Sequence, residues 1–467
     1  MKAPFRAARA VALLFLGCLV AFGGGSAAAG PGQLTVEEAV ALAREGSEAV
    51  RMKVLQAGKS EEVRAEARAK ALPRLSLEAS GSYLANPPEG ISLQKGELGS
   101  LSTPLGQIML PDKDIVLAAG AEHTFFKASA SLAQPLFTWG KIASAIRLAE
   151  EEVRIAGIDL ERQRLDIGKD VRTAYFGALL AESSLSILAR MRDTYAAVLS
   201  DRRKSFEEGA STRQAVLEAE AGFAALETKL VEARESLATA RESLGMLAGA
   251  DARDKELASG FRDSLPSLDE ETLAASAIAR SKDRELAVAR SDQARTRIDL
   301  ARGGAALLPD LSFAVTFDLT GQRIPFLDAS WTDTWDWCLA LSLGTRVTLF
   351  DAGESWARVG EAEKDLQTAV IGIVQLEKLL RVRVRMAVQE ARERHAEVAE
   401  KRAKAALAEE QAKNARVSYE NELATREEAS MAELGRLTAE LETALSLHAF
   451  ERALGELEYL AGADLGR

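Results

Sequence analysis

The chain has 467 residues, a formal net charge of −11, 28% charged residues and only 5% aromatic residues. The negative charge argues against nucleic acid or anionic lipid as a main partner, because both repel an acidic surface. It suits a pore that faces cations, and a solvated helical surface explains it equally well. Abundant Ala, Glu, Leu and Arg with few aromatic residues is typical of long helices that pack as coiled coils.

The N-terminal residues 1–29 are predicted to be a secretory signal. Three basic residues precede a short apolar run, and the small residues at 26–29 offer a cleavage site. The apolar run is too short to span a membrane comfortably. Cys18 lies inside this run, so lipidation of Cys18 is the less favoured alternative. The exported chain would then keep only Cys338, which excludes an internal disulfide bond.

The sequence contains an internal repeat. The pentapeptide Leu-Ala-Gly-Ala-Asp at 247–251 recurs identically at 460–464, an offset of 460 − 247 = 213 residues. Further landmarks follow at offsets of 213 or 236: Phe137 with Phe350, Gly140 with Gly353, Phe206 with Tyr419, and Leu72-Pro73 with Leu308-Pro309. Collinear landmarks predict one structure used twice, with 236 − 213 = 23 additional residues in the first half.

Each half is predicted to run helix, strand, loop, strand, long helix and shorter helix. In the first repeat, residues 30–260, the elements after the opening helix are strand 74–83, loop 84–122, strand 124–136, long helix 140–205 and helix 213–248. In the second repeat, residues 261–467, they are strand 310–319, loop 320–335, strand 336–349, long helix 354–418 and helix 425–462. The first-half loop carries the additional residues and is expected to be an unstructured exterior insertion.

The long helices are predicted from apolar residues spaced alternately by three and four, such as Ile142, Ile146, Ala149 and Val153. This spacing keeps one seam of the helix against a partner helix. A helix over 140–205 would be on the order of 100 Å long. It is too long for a globular core and indicates a tube or rod.

Each long helix is followed by a turn. In the first half Gly209 ends the helix, and Ser211 or Thr212 is placed to cap the next one. The matching turn is 422–425, preceded by Asn421, a residue that tolerates a left-handed conformation.

Four segments alternate between apolar and polar residues, at 75–83, 126–132, 311–319 and 337–344. These alternating segments are close to the nine or ten residues that a tilted strand needs to cross a bilayer. Because four strands cannot close into a barrel and lipid excludes open strand edges, two interpretations remain. The strands form a small soluble sheet, or several chains contribute them to one barrel.

Three tryptophans, Trp331, Trp335 and Trp337, cluster at the start of the last strand. Such a cluster is typical of the aromatic girdle at a membrane interface. Tryptophans that cover the edge of a soluble sheet are the alternative.

Several motifs, through their order, duplication and spacing, resemble those of the TolC family of outer-membrane efflux proteins over essentially the whole exported chain. The opening Leu-Thr-Val-Glu-Glu-Ala-Val at 34–40 is similar to the first helix of the family. Two pairs of motifs also match: 71–77 with 307–312 before a strand, and 134–140 with 347–353 at a strand-to-helix junction. The resemblance implies mainly α structure with membrane β structure, in a homotrimer. Four strands from each chain would form a twelve-stranded barrel in outer-membrane lipid, continued by a long periplasmic helical tube.

The resemblance also implies a function, that of a passive exit duct of a tripartite efflux pump or a type I secretion system. Its partners would be a periplasmic adaptor and an inner-membrane pump of the RND or ABC type. The helix turns would lie at the periplasmic entrance, and the adaptor contacts implied there are Gly209, Ser211, Thr212, Asn421 and Thr425.

A periplasmic gate is implied at the second turn, with Tyr419 and Glu428 as its candidate residues. Family members often carry two acidic constriction sites after this turn. Glu428 falls on the first site, whereas Met431 falls on the second. Ala424 stands where some members have a basic residue, and Glu422 where glycine is common.

Patterns for catalysis, a cofactor or a metal are not found in the sequence. The three histidines have no second ligand at a metal-binding spacing, and the carboxylates are spread along helix faces. The alternative to a channel is a periplasmic coiled-coil scaffold or adaptor without a membrane barrel, although no stretch resembles the compact β-domain of an adaptor.

Overall fold

The computed structural model describes residues 32–103, 106–111, 113–118, 123–305, 308–322, 333 and 335–463. The predicted signal at 1–29, with Cys18, and Trp331 lie outside these residues.

Long helices dominate both halves of the chain. The first half contains α1 (Val36–Gly46), α2 (Glu48–Ala69), α3 (Lys141–Glu207) and α4 (Arg213–Ala248). The second half contains α5 (Glu270–Arg280), α6 (Lys282–Ala305), α7 (Glu354–Glu420) and α8 (Arg426–Ala461). The helices α3 and α7 have 67 residues each, and α4 and α8 have 36 each, with ends within two residues of the predicted ones. No helix in the described ranges is both long and apolar enough to cross a membrane.

The opening helix of each half is a pair of helices rather than the single helix that was predicted. The pair α1 and α2 breaks at Ser47, and the pair α5 and α6 breaks at Ser281; both serines have extended backbones with φ near −60°. The Ser281 hydroxyl accepts a hydrogen bond from the Arg284 amide (3.2 Å), as at the start of a new helix. Serine competes with the helix by bonding to nearby amides, which favours breaks at such positions.

Ten strands complete the described elements. They are β1 (Gln33–Leu34), β2 (Arg74–Tyr83), β3 (Ile91–Leu93), β4 (Ser100–Thr103), β5 (Gly106–Met109), β6 (Ile115–Ala118), β7 (Thr124–Phe137), β8 (Glu256–Leu257), β9 (Asp310–Gly321) and β10 (Trp335–Arg346). Four of them form an antiparallel sheet in the order β10-β9-β7-β2, which confirms the predicted set of four strands.

Two predictions about the strands are wrong. The insertion at 84–122 was expected to be unstructured, but its described residues contain two antiparallel pairs, β3 with β6 and β4 with β5. The strand predicted over 336–349 ends at Arg346, three residues early. By contrast, β7 extends one residue beyond its predicted end because β9 pairs with it up to Phe137.

The best buried part of the helical region lies around Tyr175 of α3. This side chain is fully buried among residues of α1, α4 and β1. Its hydroxyl donates to the Leu34 carbonyl (2.9 Å) and accepts from the Ser259 amide (2.8 Å). The Ser259 hydroxyl accepts in turn from the Val36 amide (3.2 Å), so one tyrosine connects α3 to the start of the chain and to the segment between the two halves.

The segment between the halves, residues 249–269, is held on both sides. Its strand β8 pairs in parallel with β1, a short interaction that the sequence did not predict. Further along, the Arg262 guanidinium contacts two carboxylates of α8, Glu451 (Nη2–Oε1, 2.9 Å) and Glu458 (Nη1–Oε1, 2.6 Å). All three side chains are at least nine-tenths buried.

Candidate functional site

The four-stranded sheet has one apolar face. The strand register places Leu339, Phe317, Ala130 and Leu77 in one row across all four strands. The next row on the same face is Leu341, Val315, Leu132 and Leu75. A continuous row of apolar side chains across a sheet requires an apolar neighbour, either a protein core or lipid.

The opposite face of the sheet is polar. Ser129 and Lys127 of β7 contact the Asp318 carboxylate on β9, with 3.4 Å between Lys127 Nζ and Asp318 Oδ1. The hydroxyls of Ser76 and Ser131 are hydrogen-bonded across β2 and β7 (2.7 Å). A sheet with one apolar and one polar face has the pattern of a barrel wall with a wet interior.

The two edges of this sheet are unpaired within the described part of the chain, since β2 and β10 each pair on one side only. Their apolar side chains are also uncovered: Leu77 is 79% exposed and Leu341 is 69% exposed. An open edge with apolar side chains is a surface for pairing with another chain.

The candidate interfacial tryptophans begin β10. Trp337 is exposed on the apolar face and stacks on Phe317, with 6.3 Å between ring centroids. Trp335 lies over Gly321 on β9, where a Cβ atom would approach the indole ring to 2.4 Å. Gly321 is therefore required by the position of this ring. The assignment of Trp335 and Trp337 to a membrane interface stays a prediction.

At the far end of the long helices, the two turns share one geometry. After α3 the amide of Gly209 donates to the Phe206 carbonyl (3.0 Å), and after α7 the amide of Glu422 donates to the Tyr419 carbonyl (3.0 Å). The next amide in each turn donates to the carbonyl five residues earlier, which completes a Schellman motif. Asn421, a residue that tolerates the left-handed conformation, does not take it (φ −97°); Glu422 takes it instead (φ 61°), as Gly209 does in the first turn (φ 76°).

The helices that follow these turns are capped by threonine. The Thr212 hydroxyl accepts from the Ala215 amide (3.2 Å), so Thr212 rather than Ser211 caps α4. At α8 the Thr425 hydroxyl accepts from the Glu428 amide (3.1 Å), and the Glu428 carboxylate accepts from the Thr425 amide (2.8 Å). This capping box accounts for the position of Glu428, a candidate gate residue, while its side chain stays exposed.

We expect Glu422→Gly to stabilise the second turn. A left-handed conformation costs a non-glycine residue about 1 kcal/mol, a cost that glycine avoids. Part of this gain in stability is lost because glycine has greater freedom in the unfolded chain. The matched change Gly209→Ala should lower stability by about 1 kcal/mol. Thermal unfolding of the purified proteins, followed by circular dichroism, compares the two variants. A Glu422→Gly protein that unfolds at a lower temperature than the unmodified protein would contradict backbone strain at Glu422.

The two turns are linked to each other, a feature that the sequence did not indicate. The Arg202 guanidinium near the end of α3 binds the Glu427 carboxylate at the start of α8 through Nε (2.9 Å) and Nη2. Arg426 lies 3.5 Å from Asp201 in the same way. The structure thus brings the two helix turns together through two ion pairs. Tyr419, the other candidate gate residue, lies near the end of α7 and is 43% exposed.

Among the described residues, no three His, Cys, Asp or Glu side chains gather as a metal site would require. The histidines contact aromatic rings instead: His395 lies against Phe450 and His448 against Phe261. Burial lowers the pKa of His448, with a smaller contribution from Arg452. These observations assign the histidines to packing.

Comparisons with known proteins agree with this architecture. Residues 39–250 match the sequence profile of the family described as Outer membrane efflux protein. The chain is 25% identical over 243 residues to the alkaline protease secretion protein AprF of Pseudomonas aeruginosa. That alignment covers 52% of this chain and about half, 50%, of AprF.

Solved structures share the fold over nearly the whole chain. The CmeC outer membrane channel of Campylobacter jejuni is similar with a TM-score of 0.70 and 14% identity, covering 91% of this chain and 85% of CmeC. CusC, described in terms of transmembrane channel formation, is similar with a TM-score of 0.68 and 17% identity, covering 92% of each chain. At these identities the similarity establishes the fold.

Proposed function

The chain belongs to the outer membrane efflux protein family, and from this premise we propose that three copies form an exit channel across the outer membrane. The observation that carries the proposal is the two-faced sheet with open edges. Its apolar face suits lipid, its polar face suits a water-filled lumen, and its edges need partner strands. Three copies of four strands close one barrel of twelve and leave no edge.

The helices would continue this barrel into the periplasm. A helix of 67 residues is about 100 Å long, far more than the thickness of a bilayer. In each half the long helix leads directly from a sheet strand to the turns at the far end. This arrangement supports a passive duct, and we propose that its entrance lies at the linked turns.

We propose that the entrance meets a periplasmic adaptor, which joins the duct to an inner-membrane pump of the RND or ABC type. The surface for the adaptor is the pair of turns containing Gly209, Ser211, Thr212, Asn421 and Thr425. The helices that lead into and out of these turns carry ridges and grooves of side chains, into which the helices of an adaptor hairpin could pack. The system would serve efflux or type I secretion; AprF is named as a secretion protein.

The conductance of the purified protein in a planar bilayer tests this function. Protein extracted with detergent should have the mass of a trimer and give discrete, cation-preferring channels, because the polar face and the acidic chain favour cations. Protein that needs no detergent for extraction and gives no conductance would overturn the channel and favour a periplasmic coiled-coil scaffold.

We propose that Glu428 lines the entrance, and we expect its charge to attract divalent cations that block the channel. Glu428→Gln removes the charge but can still accept the hydrogen bond from the Thr425 amide. It should raise the half-blocking concentration of a divalent cation by about tenfold, because three copies each lose one charge at a narrow opening. Single-channel recordings in a divalent-cation series provide the measurement.

The control is Thr425→Ala, which removes the cap but keeps the Glu428 charge. It should lower the stability of α8 by about 1 kcal/mol and leave the block unchanged. Equal block in Glu428→Gln and the unmodified protein would remove Glu428 from the entrance.

A further inference from the structure

The two halves of the chain meet at a junction where β7 turns into α3. The backbone is left-handed at Trp139 (φ 50°) and Gly140 (φ 82°). The next residue, Lys141, binds the Asp310 carboxylate at the start of β9 (2.9 Å), and the Trp139 indole donates to the Pro309 carbonyl (2.9 Å). The end of the first half's sheet strand is thereby attached to the beginning of the second half's sheet strand.

The second half repeats this junction at the offset of 213. Ala352 (φ 55°) and Gly353 (φ 90°) have the backbone of Trp139 and Gly140. The following helix is also capped in the same place: Thr138 accepts from the amide four residues later (3.4 Å), and Asp351 does the same (2.9 Å). The two junctions are equivalent in structure. The first is attached to β9 of the second half, whereas the second follows β10 at the open edge of the sheet.

Charges at the second junction identify what it would attach to. The equivalent of Lys141 is 141 + 213 = 354, which is Glu354, and the equivalent of Asp310 is 310 − 236 = 74, which is Arg74. Both charges are inverted, so the pair keeps opposite signs. Glu354 and Arg74 are exposed and lie at opposite edges of one sheet, on α7 after β10 and on β2. They can meet only between two copies of the chain.

The early end of β10 points to the same contact. In the first half, residues 134–137 continue β7 because β9 pairs with them, Pro135 opposite Ser312 and Phe137 opposite Leu311. Their equivalents, 347–350, lie beyond the end of β10. Phe350 is 85% exposed there. A partner strand would extend β10 by these residues.

We propose that residues 347–350 of one copy pair with β2 of the next copy, with Thr348 opposite Ser76, and that Glu354 forms an ion pair with Arg74 across this interface. The register follows from the pair Pro135 and Ser312 at the first junction, because 135 + 213 = 348 and 312 − 236 = 76. The inference rests on the proposed function because it needs a ring of copies. It adds to that function the strand register and the ion pair through which one copy would bind the next.

An independent contact between the helices supports the same mapping. Within the chain, Tyr459 of α8 donates to Asp166 of α3 (2.5 Å), and Lys169 lies 4.7 Å from the Tyr459 ring. The equivalents of these three residues are Met246, Leu379 and Val382, which are all exposed and all apolar. The polar cluster inside the chain thus corresponds to three exposed apolar side chains. A second copy that packs there would bury them, as apolar side chains are buried at the core of an interface between subunits.

Disulfide crosslinking tests the register. In a Cys338→Ser background, Ser76→Cys and Thr348→Cys together should give crosslinked dimers and trimers on oxidation, which disappear with reductant. The matched control combines Thr348→Cys with Ser80→Cys, four residues further along β2, and should give none, because the Cα atoms would be about 13 Å apart along the strand. Equal crosslinking of both pairs, or of neither, overturns the proposed register.

Charge reversal tests the ion pair in the Ser76 and Thr348 crosslinking protein. Glu354→Arg alone and Arg74→Glu alone should each lower the crosslinked fraction about threefold, and the two together should restore it, since an exposed pair has a modest effect. A double variant no better than the singles overturns the pair. The native mass of the Cys338→Ser protein separates the two proposals: a trimer without crosslinks overturns this interface alone, whereas a monomer in detergent overturns the channel.

Discussion

Replacing Arg262 with methionine should lower the free energy of unfolding by about 3–5 kcal/mol, because the buried Glu451 carboxylate loses its cation and Glu458 loses one of its cations. The Arg262 side chain is 8% exposed, and those of Glu451 and Glu458 are 2% and 8% exposed. Glu451 also accepts from the Arg262 amide (3.0 Å), and Glu458 keeps a second cation, Arg172 (2.6 Å). Burial acts to lower the pKa of Arg262, but hydrogen bonds to Glu458 and Glu451 outweigh it and raise the pKa, so this arginine stays charged.

The large effect is expected because Arg262 joins the middle of the segment between the two halves to α8 through buried ion pairs. Guanidinium unfolding of the purified protein and limited proteolysis of residues 249–269 measure it. Glu451→Gln added to Arg262→Met should recover part of the loss, since it removes the carboxylate charge that Arg262 neutralised.

A neighbouring ion pair provides the control. Arg402 of α7 lies 3.1 Å from Asp263, one residue beyond Arg262, but both side chains are about half exposed. Arg402→Met should cost less than about 1 kcal/mol because solvent screens this pair. If both methionine variants unfold alike, burial is not what makes the Arg262 network important.

Replacing Leu341 with arginine should prevent assembly in the outer membrane. Leu341 lies in the middle of β10 on the apolar face, in the row with Val315 and Leu132. An arginine on the lipid face near the bilayer midplane costs about 2–4 kcal/mol in each chain, and a trimer carries it three times. The fraction of protein found as heat-resistant trimer in outer-membrane preparations is the measurement, and it should fall to background.

The next residue along the strand serves as the control, because adjacent side chains point to opposite faces. Ser342→Arg places the same charge on the polar face, where the Ser342 hydroxyl donates to the Ala314 carbonyl (3.4 Å). It should leave the trimer in place and change mainly conductance. Trimer loss in both variants, or in neither, would contradict the assignment of the two faces to lipid and lumen.

Local sequence pattern is sufficient to predict several elements of this fold. The lengths of α3 and α7 follow from uninterrupted spacing of three and four, and β2 follows from strict alternation over 74–83, where prediction and structure coincide. The cap of α4 was placed at Ser211 or Thr212 by short-range chemistry of the same kind, and the structure selects Thr212. Such features depend on residues within one or two turns of each other, so they can be recognised without any knowledge of the fold.

Contacts between residues far apart in the chain became known from the folded structure alone. Arg262 meets Glu451 across 189 residues and Arg202 meets Glu427 across 225, distances over which charge patterns along separate helices carry no information on pairing. The predicted end of β10 was likewise wrong. Alternation of apolar and polar residues continues to 349, but a strand lasts only as far as another strand pairs with it. Propensity and periodicity specify which segments can be strands or helices, whereas hydrogen bonding and burial between distant segments decide where they end and which charges meet.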